Sequence, residues 1–234
     1  MQSAPPRGSD QRGHQAGERL GHVSRELGGK NPSIVYLDAV DDDLIDGLRL
    51  ASRFTRQGQS CTAGSRLFLH EDIYDEVLDR LISRLGALKV GDPLDETSDL
   101  GAIIDGKQHA SIDDYLADCR SHSAMTVALG ASAPFEGVLP EGLCHLPTVF
   151  AGARNHFRLA QKEIFGPVLV AIPWREVDEV VQMANDSNYV PAAFVRSHDL
   201  DAALNAALVT ESGTGDAGTG DAGTGDAGTG NPCR

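Results

Sequence analysis

QGQSCTAGSRLFLHEDIYDEVLDRLISRL, residues 57–85, is the stretch that decides the fold class. A turn rich in small residues leads into the apolar run Leu67–Leu69, which predicts a buried strand. A helix is predicted from Glu71, because apolar residues then recur at helical spacing: Ile73, Val77, Leu78, Leu81 and Leu85. A strand followed at once by an amphipathic helix is the unit from which α/β domains are built.

The same alternation continues on both sides of this stretch. A strand is predicted at Ser33–Leu37, followed by a helix that Asp41 opens and Gly58 ends. Further strands are predicted at 125–129, 148–150, 168–172 and 192–195, and further helices at 105–119, 175–185 and 199–208. We therefore expect residues 22–212 to form an α/β domain with a largely parallel sheet flanked by helices.

The two ends of the chain differ from this middle part. Residues 1–21 contain almost no large apolar side chains, so we expect them to be disordered. Residues 213–234 repeat GTGDA with a period of five and should form a flexible, glycine-rich acidic tail. A calcium-binding repeat is the alternative, but such repeats need a regular apolar position, which the tail lacks.

The chain of 234 residues is acidic: its 34 Asp and Glu outnumber its 20 Lys and Arg, which gives a formal net charge of −14. Nucleic acid and anionic membranes would repel such a chain, so we expect neither as a partner. The hydrophobic fraction of 41% is enough for a buried core. We see neither an apolar run long enough to span a membrane nor a secretory segment, and therefore predict a cytoplasmic protein.

The four cysteines are widely and irregularly spaced, at positions 61, 119, 144 and 233. They form no CxxC pair, and the eight histidines are equally scattered, so the sequence indicates no metal site. Sparse cysteines of this kind are typical of a reducing compartment, in which each thiol stays unpaired.

Three short motifs have the residue types of a catalytic site. The glycine motif, ELGGKNP at 26–32, follows a carboxylate with paired glycines that let the backbone approach a ligand closely; a plain turn is the alternative. The cysteine motif, QGQSCTAGSR at 57–66, surrounds Cys61 with small residues that leave room for a carbonyl substrate, near backbone N–H groups that could stabilise an oxyanion. A buried structural cysteine is the alternative. The phenylalanine motif, KEIFGPV at 162–168, places Glu163 and Phe165 before a Gly-Pro turn, with core packing of the ring as the alternative.

In this order along the chain, the three motifs closely resemble those of the aldehyde dehydrogenase superfamily. Further segments agree with that resemblance: NPSIVYLDA at 31–39, VGDP at 90–93, PTVF at 147–150 and MANDSNY at 183–189. The resemblance covers about residues 22–213. It implies the catalytic-domain fold of that family, which in family members faces a separate Rossmann-type NAD(P)-binding domain.

The resemblance also implies a reaction, the oxidation of an aldehyde to a carboxylic acid with NAD or NADP. Cys61 matches the family's nucleophile, whose thiolate adds to the aldehyde to form a thiohemiacetal and then a thioester. Glu26 matches the general base, which activates the water that hydrolyses the thioester.

Four residues are expected to contact the cofactor. Glu163 matches the carboxylate that binds the nicotinamide ribose hydroxyls, and Phe165 matches the aromatic ring beside that ribose. Leu27 and Gly28 of the glycine motif are expected to line the same site.

The sequence departs from the family at both ends. The family has most of its nucleotide-binding domain, and an asparagine of the oxyanion hole, before the glycine motif, whereas only residues 1–25 precede Glu26 here. Glycine repeats stand where the family has a C-terminal strand that helps to build the oligomer. We therefore expect this chain by itself to bind NAD(P) weakly or not at all and to oxidise aldehydes negligibly, and to associate with itself or with a full-length homologue.

Two other functions compete with this interpretation. A non-enzymatic interaction module is the main alternative, but the intact pair of Cys61 and Glu26 favours the enzyme. A hydrolase with a Cys/His pair is disfavoured, because no histidine accompanies Cys61 in a recognisable motif.

Overall fold

The computed structural model of the chain describes residues 27–120, 125–130, 142–189 and 192–212, together with the backbone of Thr214–Gly218. The strands are β1 (Pro32–Val35), β2 (Arg66–His70), β3 (Thr126–Leu129), β4 (Thr148–Ala151), β5 (Val168–Trp174), β6 (Ala192–Arg196) and β7 (Thr214–Gly218). The helices are α1 (Asp42–Ala51), α2 (Tyr74–Gly86), α3 (Gly106–Arg120), α4 (Arg158–Gln161), α5 (Val177–Asn185) and α6 (Leu200–Val209). None of the described helices combines the length and the apolar character that a bilayer-spanning helix requires.

Within the described residues, seven strands form one sheet in the order β3-β4-β5-β2-β1-β6-β7. Neighbouring strands are parallel except β3 and β4, which run antiparallel at one edge. β1 lies inside the sheet, where Ile34 pairs with Phe68 of β2 on one side and with Val195 of β6 on the other. Parallel neighbours need crossover connections, and the helices between the strands provide them.

Helices cover both faces of the sheet, which explains why its strands are almost continuously apolar. Side chains along β2 and β5 point alternately to the two faces: Phe68 and Val170 enter one core, and Leu67 and Leu169 enter the other. The first core is completed by α3, α4 and α5, and the second by α1 and α2. The predicted α/β fold, with helices flanking a largely parallel sheet, is confirmed.

Helix α1 is shorter than the sequence predicts. The carboxylate of Asp41 caps its N-terminus by accepting a 2.6 Å hydrogen bond from a backbone N–H. The helix was expected to run to Gly58, but it ends at Ala51, and the backbone then passes through the left-handed region at Gln57 and Gly58. The backbone already enters the left-handed region at Arg53, with a φ of 54°, and Gly58 is fixed by tertiary packing, since a Cβ there would lie 2.0 Å from the carbonyl oxygen of Gly166. The chain must turn here to meet a segment that is distant in sequence.

Strand β7 departs from the predicted flexible tail. Thr214–Gly218 pairs in parallel with β6, within the segment 213–234 that was expected to form the tail. The prediction relied on the missing apolar face of the repeat. The backbone groups of β6, however, can pair with any extended segment that α6 brings alongside, whatever its side chains. The segment 1–21, predicted to be disordered, and the remainder of the tail lie outside the described residues.

Candidate active site

The three motifs meet at one edge of the sheet, at the amino ends of adjacent strands. The glycine motif leads into β1, the cysteine motif into β2 and the phenylalanine motif into β5. β2 is the neighbour of both β1 and β5. Because parallel strands begin at the same edge, loops that are far apart in the sequence become neighbours there. Open α/β sheets usually bind ligands at the carboxyl ends of their strands. This site lies instead at the amino ends and is built from the loops that lead into the strands.

Gly29 contacts both of the other motifs. Its backbone N–H donates a hydrogen bond to Oε1 of Glu163 at 2.8 Å. A Cβ on residue 29 would lie 1.9 Å from the carbonyl oxygen of Cys61, so only glycine lets the two loops approach this closely. Gly29 and Glu163 line one small pocket with Ala63 and Phe165. Gly29 therefore allows the glycine motif to pack closely against the cysteine motif and the phenylalanine motif.

Asn31 fixes the loop that carries Cys61. Its buried side chain donates through Nδ2 to the carbonyl oxygens of Cys61 at 2.8 Å and Ala63 at 2.9 Å. Its Oδ1 accepts a hydrogen bond from the backbone N–H of Ala192 at 3.0 Å. One amide therefore joins the starts of β1, β2 and β6 and uses its donor and acceptor groups fully in the interior.

Cys61 is exposed, whereas Cys119 and Cys144 are buried. Burial raises the pKa of Cys119 to about 11 and also raises the pKa of Cys144, which keeps both as neutral thiols at neutral pH. The hydroxyls of Ser60 and Thr62, on either side of Cys61, lie 3.0 Å apart and share a hydrogen bond. A buried structural role does not apply to Cys61, which solvent and reagents can reach.

The phenylalanine motif presents its side chains from a strained turn. Phe165 has a φ of 57°, in the left-handed region that residues other than glycine rarely adopt. Gln108 of α3 supports the turn, because its side-chain amide donates to the carbonyl oxygens of Ile164 at 2.7 Å and Phe165 at 3.1 Å. The Phe165 ring is 37% exposed, so it is not fully packed in the core.

Two basic residues beside the site, Lys30 and Arg66, are buried. The guanidinium of Arg66 donates to the backbone carbonyls of Lys30 at 2.8 Å, Met183 at 2.9 Å and Ala184 at 2.8 Å. Burial, and then the charge of Arg66, lowers the pKa of Lys30 to about 7, while the Glu163 carboxylate acts in the opposite direction. Burial lowers the pKa of Arg66 to about 10. Arg66 thus ties the start of β2 to the glycine motif and to the end of α5.

Most of the predicted site residues come together at this edge. Those in the described part of the chain are Cys61, Glu163, Phe165, Leu27 and Gly28. Leu27 is 55% exposed, as a side chain that meets a ligand would be. Glu26 lies outside the described residues, and the chemical roles of all six remain predictions.

The sequence interpretation missed the residues that hold the site in place. Asn31 stands inside the glycine motif, where an amide two residues after the paired glycines was the available signal. Arg66 ends the cysteine motif, and its position just before an apolar strand was the signal that it would be buried. Gln108 lies on a helix in a separate segment and has no local signal.

Known proteins share this sequence pattern. The pattern of the aldehyde dehydrogenase family matches residues 8–229. The betaine aldehyde dehydrogenases of Brucella ovis and Brucella abortus are each 36% identical to the chain over 200 residues. Each match includes 86% of this chain and 41% of the relative, so the chain spans about two fifths of the length of these relatives.

Solved structures share the fold. An aldehyde dehydrogenase from Bacillus cereus in complex with NAD+ matches with a TM-score of 0.79 at 32% identity, over 86% of this chain and 40% of that one. A betaine aldehyde dehydrogenase from Staphylococcus aureus, also in complex with NAD+, matches with a TM-score of 0.82 at 31% identity, over 89% and 42%. An indole-3-acetaldehyde dehydrogenase from P. syringae, in complex with NAD+ and IAA, matches with a TM-score of 0.82 at 34% identity, over 93% and 44%.

Proposed function

Because the chain belongs to the aldehyde dehydrogenase family, a family of oxidoreductases, we propose that it carries the acyl-transfer site for NAD(P)-dependent oxidation of an aldehyde to a carboxylic acid. The observation that supports this most is the placement of Cys61. Its thiol is exposed, and its carbonyl oxygen is held at 2.8 Å by the buried amide of Asn31. A nucleophile on a fixed backbone meets its substrate in one geometry, which lowers the entropic cost of the reaction.

In the proposed reaction, Sγ of the Cys61 thiolate adds to the aldehyde carbon, and the carbonyl oxygen becomes an oxyanion that backbone N–H groups of the cysteine motif stabilise. An NAD-type cofactor, when bound beside Glu163 and Phe165, would supply the oxidising power as the acceptor of hydride from that carbon. The acyl group then remains on Cys61 as a thioester. Glu26 takes a proton from a water molecule, whose oxygen attacks the thioester carbon. The C–S bond breaks, and the carboxylic acid leaves while Cys61 regains its thiolate.

The residues proposed for the nicotinamide end of the cofactor suit that group. The Glu163 carboxylate is positioned by the Gly29 N–H, and a carboxylate has about four acceptor positions for donors such as ribose hydroxyls. Phe165 and Leu27 expose apolar surface at the same edge, and Gly28 adds backbone without a side chain. The NAD+ complexes of the Bacillus cereus and Staphylococcus aureus proteins support a cofactor of this type.

This assignment gives the chain the nicotinamide end of the cofactor site. A dinucleotide is held largely through its pyrophosphate and its second ribose, so we propose that the 234-residue chain, assayed by itself, binds NAD(P) weakly and forms NAD(P)H slowly. An interaction role is the second candidate, and it is supported by β7, which ends the described sheet and can offer its backbone to a second copy or a full-length relative. The thiols of Cys61, Cys119 and Cys144 are not in disulfides, which supports action in the reducing cytoplasm.

Hydrolysis of p-nitrophenyl acetate tests the acyl-transfer chemistry without a cofactor. We expect the wild-type chain to release p-nitrophenol and to carry an acetyl group on Cys61, detectable by mass spectrometry. Cys61→Ala should lose both signals, whereas the control Cys144→Ala, which removes a buried thiol, should keep them. Glu26→Gln should lengthen the lifetime of the acetylated form, because the water lacks its base. A Cys61→Ala chain that hydrolyses the ester at the wild-type rate would contradict the nucleophile assignment.

Formation of NAD(P)H from an aldehyde tests the cofactor part separately. We expect a rate far below the roughly 1–10³ s⁻¹ that is usual for enzymes. An ordinary enzymatic rate from the purified chain would overturn the proposal of weak activity, yet it would leave the assignment of Cys61 intact. Mixing the chain with a full-length relative and measuring co-elution by size-exclusion chromatography tests the interaction role.

A further inference from the structure

A second group of potential ligands lies outside the three motifs. His109, Asp113 and His145 each offer one ligand atom, and these atoms all lie within 4.8 Å of one another. Nδ1 of His109 is 3.2 Å from Oδ2 of Asp113, and Nε2 of His145 is 3.7 Å from Oδ1 of the same carboxylate. The scattered histidines of the sequence predict no metal site, but the fold brings two of them together beside a carboxylate.

The group is held by two separate parts of the chain. His109 and Asp113 are one turn apart on α3, so both face the same side of that helix. His145 comes from the segment 142–147 that leads into β4, and its ring stacks on that of His109 with centroids 4.2 Å apart. The backbone N–H of Ile103 also donates to the carbonyl oxygen of Leu143 at 2.7 Å, which fixes this segment beside the residues that precede α3.

We propose that His109, Asp113 and His145 bind a divalent transition-metal ion of the zinc type. Imidazole nitrogens and a carboxylate oxygen are ligands that Zn²⁺ accepts at about 2.0–2.2 Å, which places tetrahedral ligand atoms about 3.4 Å apart. The distances of 3.2 and 3.7 Å to Asp113 bracket that spacing, and the two imidazole nitrogens lie within 4.8 Å of each other, so side-chain movements would bring all three onto one ion. Water completes the coordination on the side of Asp113, whose side chain is 57% exposed.

The alternative is a pair of histidines bonded to a carboxylate without a metal. Nε2 of His145 also lies 3.4 Å from the carbonyl oxygen of His109, a contact that a bound ion would replace. A zinc titration distinguishes the two, and its outcome does not depend on the proposed aldehyde chemistry.

An ion at this position would cross-link α3 to the segment before β4. Gln108, next to His109, holds the turn at Ile164 and Phe165, so the cross-link would also stiffen the helix that supports the phenylalanine motif. A metal ion that binds the folded state and not the unfolded state stabilises the folded state by mass action. The ion should therefore increase the thermal stability of the chain.

Titration of the metal-free chain with ZnCl₂, followed by calorimetry and thermal unfolding, tests the proposal. We expect one Zn²⁺ per chain and a higher melting temperature. His145→Ala and Asp113→Asn should each weaken binding about tenfold or more and remove the thermal shift. Two control variants should keep both effects: His156→Ala removes an exposed histidine elsewhere, and Cys61→Ala removes the exposed thiol that could bind zinc by itself.

Circular dichroism in EDTA shows whether each variant folds. If His145→Ala fails to fold, Asp113→Asn is the decisive variant, because Asp113 is more exposed than His145. The proposal is overturned if the wild-type chain binds no Zn²⁺. It is equally overturned if Asp113→Asn binds Zn²⁺ as tightly as the wild type, or if Cys61→Ala abolishes binding.

Discussion

Replacing Asn31 by alanine should destabilise the chain by about 3 kcal/mol and loosen the loop that carries Cys61. The Asn31 side chain is 0% exposed and is bonded to three backbone groups. Those to Ala63 and Ala192 are buried, and that to Cys61 is partly buried. A buried backbone group that loses its partner costs about 1–3 kcal/mol, and one near the surface costs less because water replaces the partner. Two buried groups and one partly buried group together give about 3 kcal/mol.

Asn31→Asp is a sharper variant of the same test. It keeps the shape of the side chain but places a carboxylate oxygen against the carbonyl oxygens of Cys61 and Ala63, where the amide nitrogen had donated. We therefore expect Asn31→Asp to be at least as destabilising as Asn31→Ala at neutral pH, where the carboxylate is an acceptor only.

Urea denaturation followed by circular dichroism measures the free energy of unfolding, and the rate at which Cys61 reacts with a thiol reagent measures how firmly its loop is held. Asn185→Ala is the matched control. Asn185 makes the same kinds of bond, donating to the carbonyl of Val209 at 3.0 Å and accepting from the N–H of Glu211 at 2.9 Å, but in an exposed setting. It should lose less than about 1 kcal/mol. Equal losses for Asn31→Ala and Asn185→Ala would refute the reasoning.

Gly29→Ala should destabilise the chain by about 1–3 kcal/mol and displace the Cys61 loop, since the added Cβ would lie 1.9 Å from the carbonyl oxygen of Cys61. The control Gly106→Ala should cost nothing, because no neighbouring atom lies within 4 Å of the added Cβ. Equal urea midpoints for these two variants would contradict the close approach. Lys30 has a pKa of about 7 in the folded chain against 10.5 for an unperturbed lysine, so the unfolded chain binds more protons between these values and stability should rise with pH across that window. Urea denaturation from pH 7 to 9 should show this rise in the free energy of unfolding, up to about 1.4 kcal/mol per pH unit, in the control Lys162→Met, which replaces an exposed lysine. Lys30→Met should not show the rise, and an unchanged rise in that variant would exclude the buried amine as its cause.

The order of strands and helices followed from the sequence, because the period of apolar residues is a local property. Alternation into two cores made the strands apolar throughout, and the spacing in α2 marked one buried face. The motifs around Cys61, Glu163 and Gly29 were also visible, since small residues and glycines stand where loops must come close. The turn that follows α1 was not, because Gly58 packs against Gly166, more than a hundred positions away.

Only the tertiary structure decided what these loops meet. Gly29 binds Glu163 across 134 positions and Gln108 binds Ile164 across 56, and no local pattern encodes a partner at such a distance. β7 pairs with the backbone groups along one side of β6, and the composition of the glycine repeat does not reveal that such a partner strand is present. The parallel sheet supplies the physical reason, because its strands begin at one edge and bring separate loops together around Cys61.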